Sequence, residues 1–277
     1  MTDTDRERLR RTFTEAAETY DRARPGYPPQ LYDDLAALAG AGPGCRVLEL
    51  GCGTGLATVP LATLGCRIVA VELGAELAAV ARRNLAEHPQ VTFEIAAFED
   101  WSLPPEPFDL VLAATSFHWI DPAVRVAKSA AALRPGGLLA TVSTHHVAGG
   151  TEQFFVDVQA CYERFDPATP PGLRLTAAAD IPYDTQESPG RNAEQGNAAL
   201  PGAERFEPPL FRRYTRDLTF TTRQYLDLLC TFSGTRALAP DARAGLLDCV
   251  GRLIDRTYGG SVTKRYLTEL RLARRTA

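Results

Sequence analysis

One stretch of this chain has the residue types to cradle a nucleotide: Gly51-Cys52-Gly53-Thr54-Gly55. Three glycines in five positions let the backbone turn tightly and let a ligand approach with no Cβ in the way. Glu72 falls 21 positions after Gly51, a spacing at which an acid can accept hydrogen bonds from both hydroxyls of a ribose. Taken singly, the glycines also read as a plain strand-to-helix turn and Glu72 as an exposed strand-end acid; their spacing favours the ligand. His118, His145 and His146 each stand at the carboxyl end of a predicted strand, and imidazole is the natural group for taking a proton near neutral pH. Each of the three reads equally well as a packing or surface histidine, and His88 reads better that way. Tyr20, Arg24 and Tyr27 lie in a proline-rich segment, Tyr20 to Pro29, that either covers a ligand and holds a carboxylate or simply connects two helices.

The elements that must position these residues follow from periodicity. Arg46 to Leu50 reads as a short buried strand running into the glycine turn, and Leu56 to Leu64 is an apolar segment of helical length. Residues 67–73 form a second strand, continuously apolar until Glu72, as in the centre of a parallel sheet. Helix 75–88, strand 91–98, strand 109–115, helix 122–133 and strand 138–144 continue the alternation, and helices 6–20 and 30–39 precede it. Alternating strands and helices mean right-handed βαβ units and a doubly wound α/β sheet. In the second half, 152–165 reads as a helix and 211–221 as a strand. Helices at 223–232 and 240–258 and a last strand at 262–272 follow. Residues 166–209 have little periodicity, as a lid or binding loop would.

Composition bounds the rest. The 277 residues, with 45% hydrophobic and 23% charged, suit a globular chain with a sizeable core. A net charge of −4 gives no reason to expect nucleic acid as a partner. The polar, acidic start is unlike a signal peptide, and no apolar run reaches the roughly 18 residues that span a bilayer. None of the six cysteines forms a C-x-x-C pair or sits at zinc spacing with a histidine, so no metal site is expected. Several lie in apolar company, which suits reduced, buried thiols of a cytoplasmic protein.

Val47-Leu-Glu-Leu-Gly-Cys-Gly-Thr-Gly55 resembles the first motif of the class I S-adenosylmethionine-dependent methyltransferases. Glu72, Phe98-Glu99-Asp100, Phe108-Asp-Leu-Val-Leu112 and Leu133-Arg-Pro-Gly-Gly-Leu138 match that family's later motifs. Tyr20 to Pro28 and Phe117-His-Trp-Ile-Asp121 resemble its small-molecule, trans-aconitate-type branch. The resemblance implies a seven-stranded, mostly parallel Rossmann-like sheet with a helical lid over the carboxyl ends of the strands. It further implies a cofactor core over 1–145, an insertion over 146–210 and the last strands with lid helices over 211–277.

By the same resemblance Glu49 and the turn Gly51, Cys52, Gly53 and Gly55 hold the methionine part of the cofactor. Glu72 and Leu73 hold the ribose and one adenine face, and Ala97, Phe98 and Glu99 the other adenine edge. Tyr20, Arg24 and Tyr27 close over the sulfonium, and Tyr20 joins His118, His145 and His146 as a catalytic candidate. Thr115 borders the cofactor, and Phe117, His118, Trp119 and Ser233 border a small-molecule acceptor. A nicotinamide site fits less well because the third glycine comes one residue early, and an ATP or GTP site lacks the Lys-Ser/Thr pair after the glycines. Cyclisation of the cofactor with release of methylthioadenosine, and a non-catalytic binding role, are the other functions this pattern allows.

Overall fold

The computed structural model describes residues 17–167, 169–183 and 200–277. Expectations that fall on 6–16, 168 and 184–199 lie outside these residues. The helices are α1 Ala17–Ala23, α2 Pro29–Ala39, α3 Thr58–Thr63, α4 Ala75–Asn84, α5 Arg125–Ala132, α6 Glu152–Asp157, α7 Gln159–Phe165, α8 Thr222–Leu229, α9 Ser233–Ala237 and α10 Pro240–Thr257. The strands are β1 Arg46–Leu50, β2 Arg67–Glu72, β3 Val91–Ile95, β4 Phe108–Ala114, β5 Leu133–Gly150, β6 Leu210–Thr221 and β7 Ser261–Arg274. They form one mixed seven-stranded sheet in the order β3-β2-β1-β4-β5-β7-β6. The first five strands pair in parallel, with Leu48 opposite Val69 on one side and Val111 on the other. The strand order therefore reverses beside β1, the topological switch at which ligands of open α/β sheets bind.

The chain divides into two compact units. The first comprises the described residues to Pro25, His145–Ile181 and Thr215–Leu267; the second comprises Gly26–Thr144, the described part of Pro182–Tyr214, and Thr268–Ala277. In the second unit, successive strand residues face opposite sides, as the pleat requires. Val47, Leu110 and Leu112 enter a core with Leu31 and Leu35 of α2, Leu61 of α3 and Ala81 of α4. Leu48, Leu50, Val111 and Ala113 enter another with Phe117, Ile120 and Val126. Helices thus cover both faces, which is the doubly wound arrangement.

The first unit has its own core, where Phe154 meets Phe155, Tyr225 and Tyr258 edge-on at 5.0–5.4 Å between centroids. A capping box at Thr221 starts α8: the Thr221 hydroxyl accepts from the Gln224 N–H and the Gln224 side chain accepts from the Thr221 N–H.

Three sequence expectations need correction. Cys161 and Cys249 form a disulfide in the first unit, so not all six cysteines are free thiols. The fifth strand runs to Gly150 rather than ending at Thr144. His145 and His146 therefore sit inside a strand, on opposite faces, and not at its end. The strand also begins earlier, at Leu133. The register jumps between Phe108↔Leu133 and Leu110↔Leu138, and the residues between are accommodated as a bulge around Pro135 and Gly136, which has φ 75°. Helix 152–165 is two pieces, α6 and α7, meeting at Val158. Elsewhere boundaries move by a few residues, and Asp121 starts a turn ahead of α5, its carboxylate accepting from the Ala123 N–H at 2.8 Å.

Candidate functional site

The glycine turn leaves β1 at its carboxyl end with Gly51, Gly53 and Gly55 at φ 69°, 57° and 90°. These left-handed conformations need glycine. At Gly51 steric need adds to this, because a Cβ there would stand 2.8 Å from the Ser116 Cβ. Neighbours on three sides hold the turn. The Gly51 N–H donates to the Val71 carbonyl at 2.7 Å, and the Asn84 amide of α4 donates to the Thr54 carbonyl at 3.0 Å. The Glu72 carboxylate accepts from the Gly53 N–H at 2.9 Å and, with its other oxygen, from the Gly74 N–H at 2.8 Å. Glu72 thus clamps the turn to the end of β2 while nearly buried. A carboxylate offers about four acceptor positions, so these two bonds do not by themselves exhaust it for a ribose diol.

Inside the turn lie polar atoms with no partner. Glu49 is 1% exposed, and its Oε2 makes no hydrogen bond; Thr54 Oγ1 is likewise buried and unpartnered. Burial, with the Glu72 carboxylate nearby, pushes the Glu49 carboxyl up to about 7. A buried carboxylate oxygen left without a donor is costly, and a ligand ammonium would supply what it lacks. The same glycines that give the turn its shape leave backbone exposed to that ligand. This donor set fits the amino-acid end of S-adenosylmethionine.

At the end of β4, Thr115 has φ 56°, the one non-glycine residue at positive φ among the described residues. A β-branched residue there is a true outlier, and such strain gathers at functional sites. Its N–H donates to the Val142 carbonyl at 2.8 Å, and its hydroxyl lies 2.9 Å from the Tyr27 hydroxyl. Next to it the Ser116 hydroxyl donates to the Leu50 carbonyl, tying the end of β4 to the end of β1.

The remaining predicted residues fall into three groups. Leu73, Ala97 and Glu99 lie in the second unit at the ends of β2 and β3. Leu73 is 36% exposed, a large apolar side chain beside Glu72, as a stacked base requires. Glu99 accepts from the Asp121 N–H at 3.0 Å. Phe98 and Phe117 are core residues, 3% and 0% exposed, so their side chains face neither cofactor nor acceptor and only their backbone is available. Cys52 is buried too. His118 is exposed beside Trp119, with ring centroids 4.8 Å apart.

Tyr20, Arg24, His145, His146 and Ser233 belong to the first unit. Arg24 Nε donates to Thr231 Oγ1 at 2.8 Å, and its guanidinium lies 5.2 Å over the Tyr20 ring. Ser233 opens α9 and is half-buried. Burial, with the Lys264 ammonium adding to it, lowers His146 to about 3, too weak a base to take a proton at neutral pH. Sequence reasoning missed Asn84, which no local pattern marks. It placed Ser116 and Thr54 only as members of the runs 115–119 and 51–55, without the hydrogen bond of the first or the orphaned hydroxyl of the second.

Residues 47–137 match the model of a methyltransferase domain. With the strand order, the glycine turn and Glu72, this places that domain among the class I S-adenosylmethionine-dependent methyltransferases. An uncharacterized methyltransferase of Mycobacterium tuberculosis is 39% identical over 131 residues, 47% of this chain and 51% of the relative. A ubiquinone biosynthesis O-methyltransferase of Xanthomonas campestris is 38% identical over 109 residues, 38% of this chain and 46% of the relative. The chain thus spans about half the length of the curated relatives it matches. Among solved structures, a protein of Anaeromyxobacter dehalogenans named as a type II methyltransferase superposes with a TM-score of 0.57 at 25% identity, covering 91% of this chain and 97% of its own. No helix among the described residues is long and apolar enough to cross a membrane.

Proposed function

We propose that this protein transfers the methyl group of S-adenosylmethionine to a small-molecule acceptor. The observation that carries the reading is the Gly51–Gly55 turn, clamped by Glu72 and standing beside the unpartnered Oε2 of Glu49. When bound, the cofactor supplies an electrophilic methyl on its own sulfonium, so the protein's task is alignment and exclusion of water. Glu49 pairs with the methionyl ammonium, and the turn's backbone carries the rest of the methionine part. Glu72 accepts from the ribose hydroxyls while keeping the turn closed. Leu73 covers one adenine face, and the backbone of Ala97 and Phe98 with Glu99 reads its edge. Tyr27 and Thr115, joined through their hydroxyls, border the sulfonium. Tyr20 and Arg24 are assigned to the cofactor's cover by resemblance alone.

On the acceptor side, the resemblance offers His118 and Trp119, both in the second unit. His118 and His145 are the histidines left to serve as a base where the acceptor needs one, because His146, lowered to about 3, is too weak a base in the neutral range. The small-molecule reading draws support from the O-methyltransferase among the relatives.

Titration calorimetry tests the cofactor assignment. S-adenosylmethionine and S-adenosylhomocysteine should both bind, and NAD should not. Binding of NAD alone would overturn it. Product analysis then separates methyl transfer, which leaves S-adenosylhomocysteine, from cyclisation, which leaves methylthioadenosine.

A further inference from the structure

The first unit buries a second polar cluster that the cofactor does not use. Lys264 of β7 is 4% exposed and, among the described residues, makes no hydrogen bond or ion pair. Its Nζ lies 5.2 Å from the Tyr266 ring, 5.4 Å from the Phe232 ring and 5.8 Å from the Tyr225 ring. Tyr266, two positions along the same strand face, has a buried hydroxyl without a hydrogen-bond partner. His146 of β5, its ring 6.2 Å from that of Tyr266, has a buried Nε2 without one. The other charged group facing Lys264 is a second cation, Arg24, held by Thr231 and lying 4.5 Å over the Phe232 ring.

This arrangement is unbalanced. Burying an ammonium costs several kcal/mol even after relaxation. Stacking on rings returns roughly 0.5–2 kcal/mol, and the Arg24 guanidinium adds repulsion. Burial, with Arg24 adding to it, lowers Lys264 to about 7. What is missing is an anion able to accept from an ammonium, a phenol and an imidazole N–H together, with a flat body that suits the three rings.

We propose that the first unit holds a binding site for a small aromatic carboxylate, with Lys264 as counter-ion and Tyr266 Oη and His146 Nε2 as hydrogen-bond partners. Two carboxylate oxygens offer the acceptor positions those three donors require. His146 takes part as a neutral donor in the tautomer that carries its proton on Nε2. Nothing in this assignment depends on methyl transfer.

The probes are cinnamate and benzoate, with neutral cinnamamide as the matched control, titrated calorimetrically into the full chain and followed by saturation-transfer NMR. The acids should bind at millimolar concentration or better, and cinnamamide at least about tenfold more weakly, the factor for a difference of about 1.4 kcal/mol. Lys264→Met keeps the stem and removes the charge, and should abolish the preference for acid over amide. Tyr266→Phe removes only the hydroxyl and should weaken cinnamate severalfold; it keeps the test decisive if Lys264→Met does not fold. A parallel titration with S-adenosylhomocysteine reports on the cofactor assignment separately. No binding of either acid, equal binding of amide and acid, or unchanged acid binding by a folded Lys264→Met would overturn the proposal.

Discussion

Glu49 makes the sharpest prediction, because its protonation and its role are coupled. Its carboxyl is held at about 7, against an ordinary 4.5, by burial and by Glu72. If a cofactor ammonium pairs with it, its pKa must fall back toward or below the ordinary value, and the proton must leave. At pH 7 the carboxyl is about half protonated, so binding should release about half a proton; at pH 6 the release should approach about one. The acidic side is the better place to measure, since a ligand α-amino group with its own pKa near 8 is then fully charged. The return from about 7 to 4.5 corresponds to about 3 kcal/mol of coupling between ligand and carboxylate. Calorimetric titration with S-adenosylhomocysteine in buffers of different ionisation enthalpy reads the proton count directly. Glu49→Gln should lose both the proton release and about two orders of magnitude in affinity. Proton uptake, or no exchange at pH 6, would refute the pairing.

The same shift has a stability sign. A carboxyl whose folded pKa is raised stabilises the fold fully below its unfolded value and loses that contribution as pH rises through its folded value. Urea unfolding of the ligand-free chain should therefore show stability falling between about pH 4.5 and 7, by up to about 3 kcal/mol, and Glu49→Gln should flatten that slope. Glu72→Gln replaces one of the two carboxylate oxygens that accept from the backbone N–H groups of Gly53 and Gly74, and should cost about 1–3 kcal/mol of stability, with cofactor affinity falling about ten- to a hundredfold in the same titration. Thr115→Gly relieves a left-handed threonine and should raise thermal stability slightly, by up to about 1 kcal/mol, while turnover falls because the Tyr27 contact is lost. Reducing the Cys161–Cys249 disulfide, which links residues 88 apart in sequence, should cost about 2–4 kcal/mol, read as a lower thermal midpoint in dithiothreitol.

Much of the cofactor site was legible before any coordinates. Glycines at positive φ, an acid one βα unit later and strictly alternating strands are local patterns, and local sterics and periodicity write them directly into sequence. The doubly wound character of the first five strands followed from the same alternation through right-handed crossovers, whereas their order came only from the folded sheet. What could not be read were quantities that depend on which segments meet. Glu72 anchors the turn through Gly53 and Gly74, and only the packed ends of β1 and β2 reveal that anchoring. Phe98 and Phe117 looked like ligand-facing aromatics and proved to be core, because a residue's face is set by the neighbours on both sides of the sheet.

The histidines show the same limit. The fifth strand continues six residues past Thr144, which moves His145 and His146 from a strand end into a strand, and burial then makes His146 useless as a base. Lys264 drew no notice as one lysine in an alternating strand, and the Cys161–Cys249 pair no notice among six scattered cysteines. The amino-acid order alone determined the class of domain and the place of its cofactor turn, since both rest on short-range geometry. Which polar atoms are left buried without partners, and hence where ligands must supply them, was decided by the tertiary structure, because desolvation is a property of surroundings drawn from distant parts of the chain.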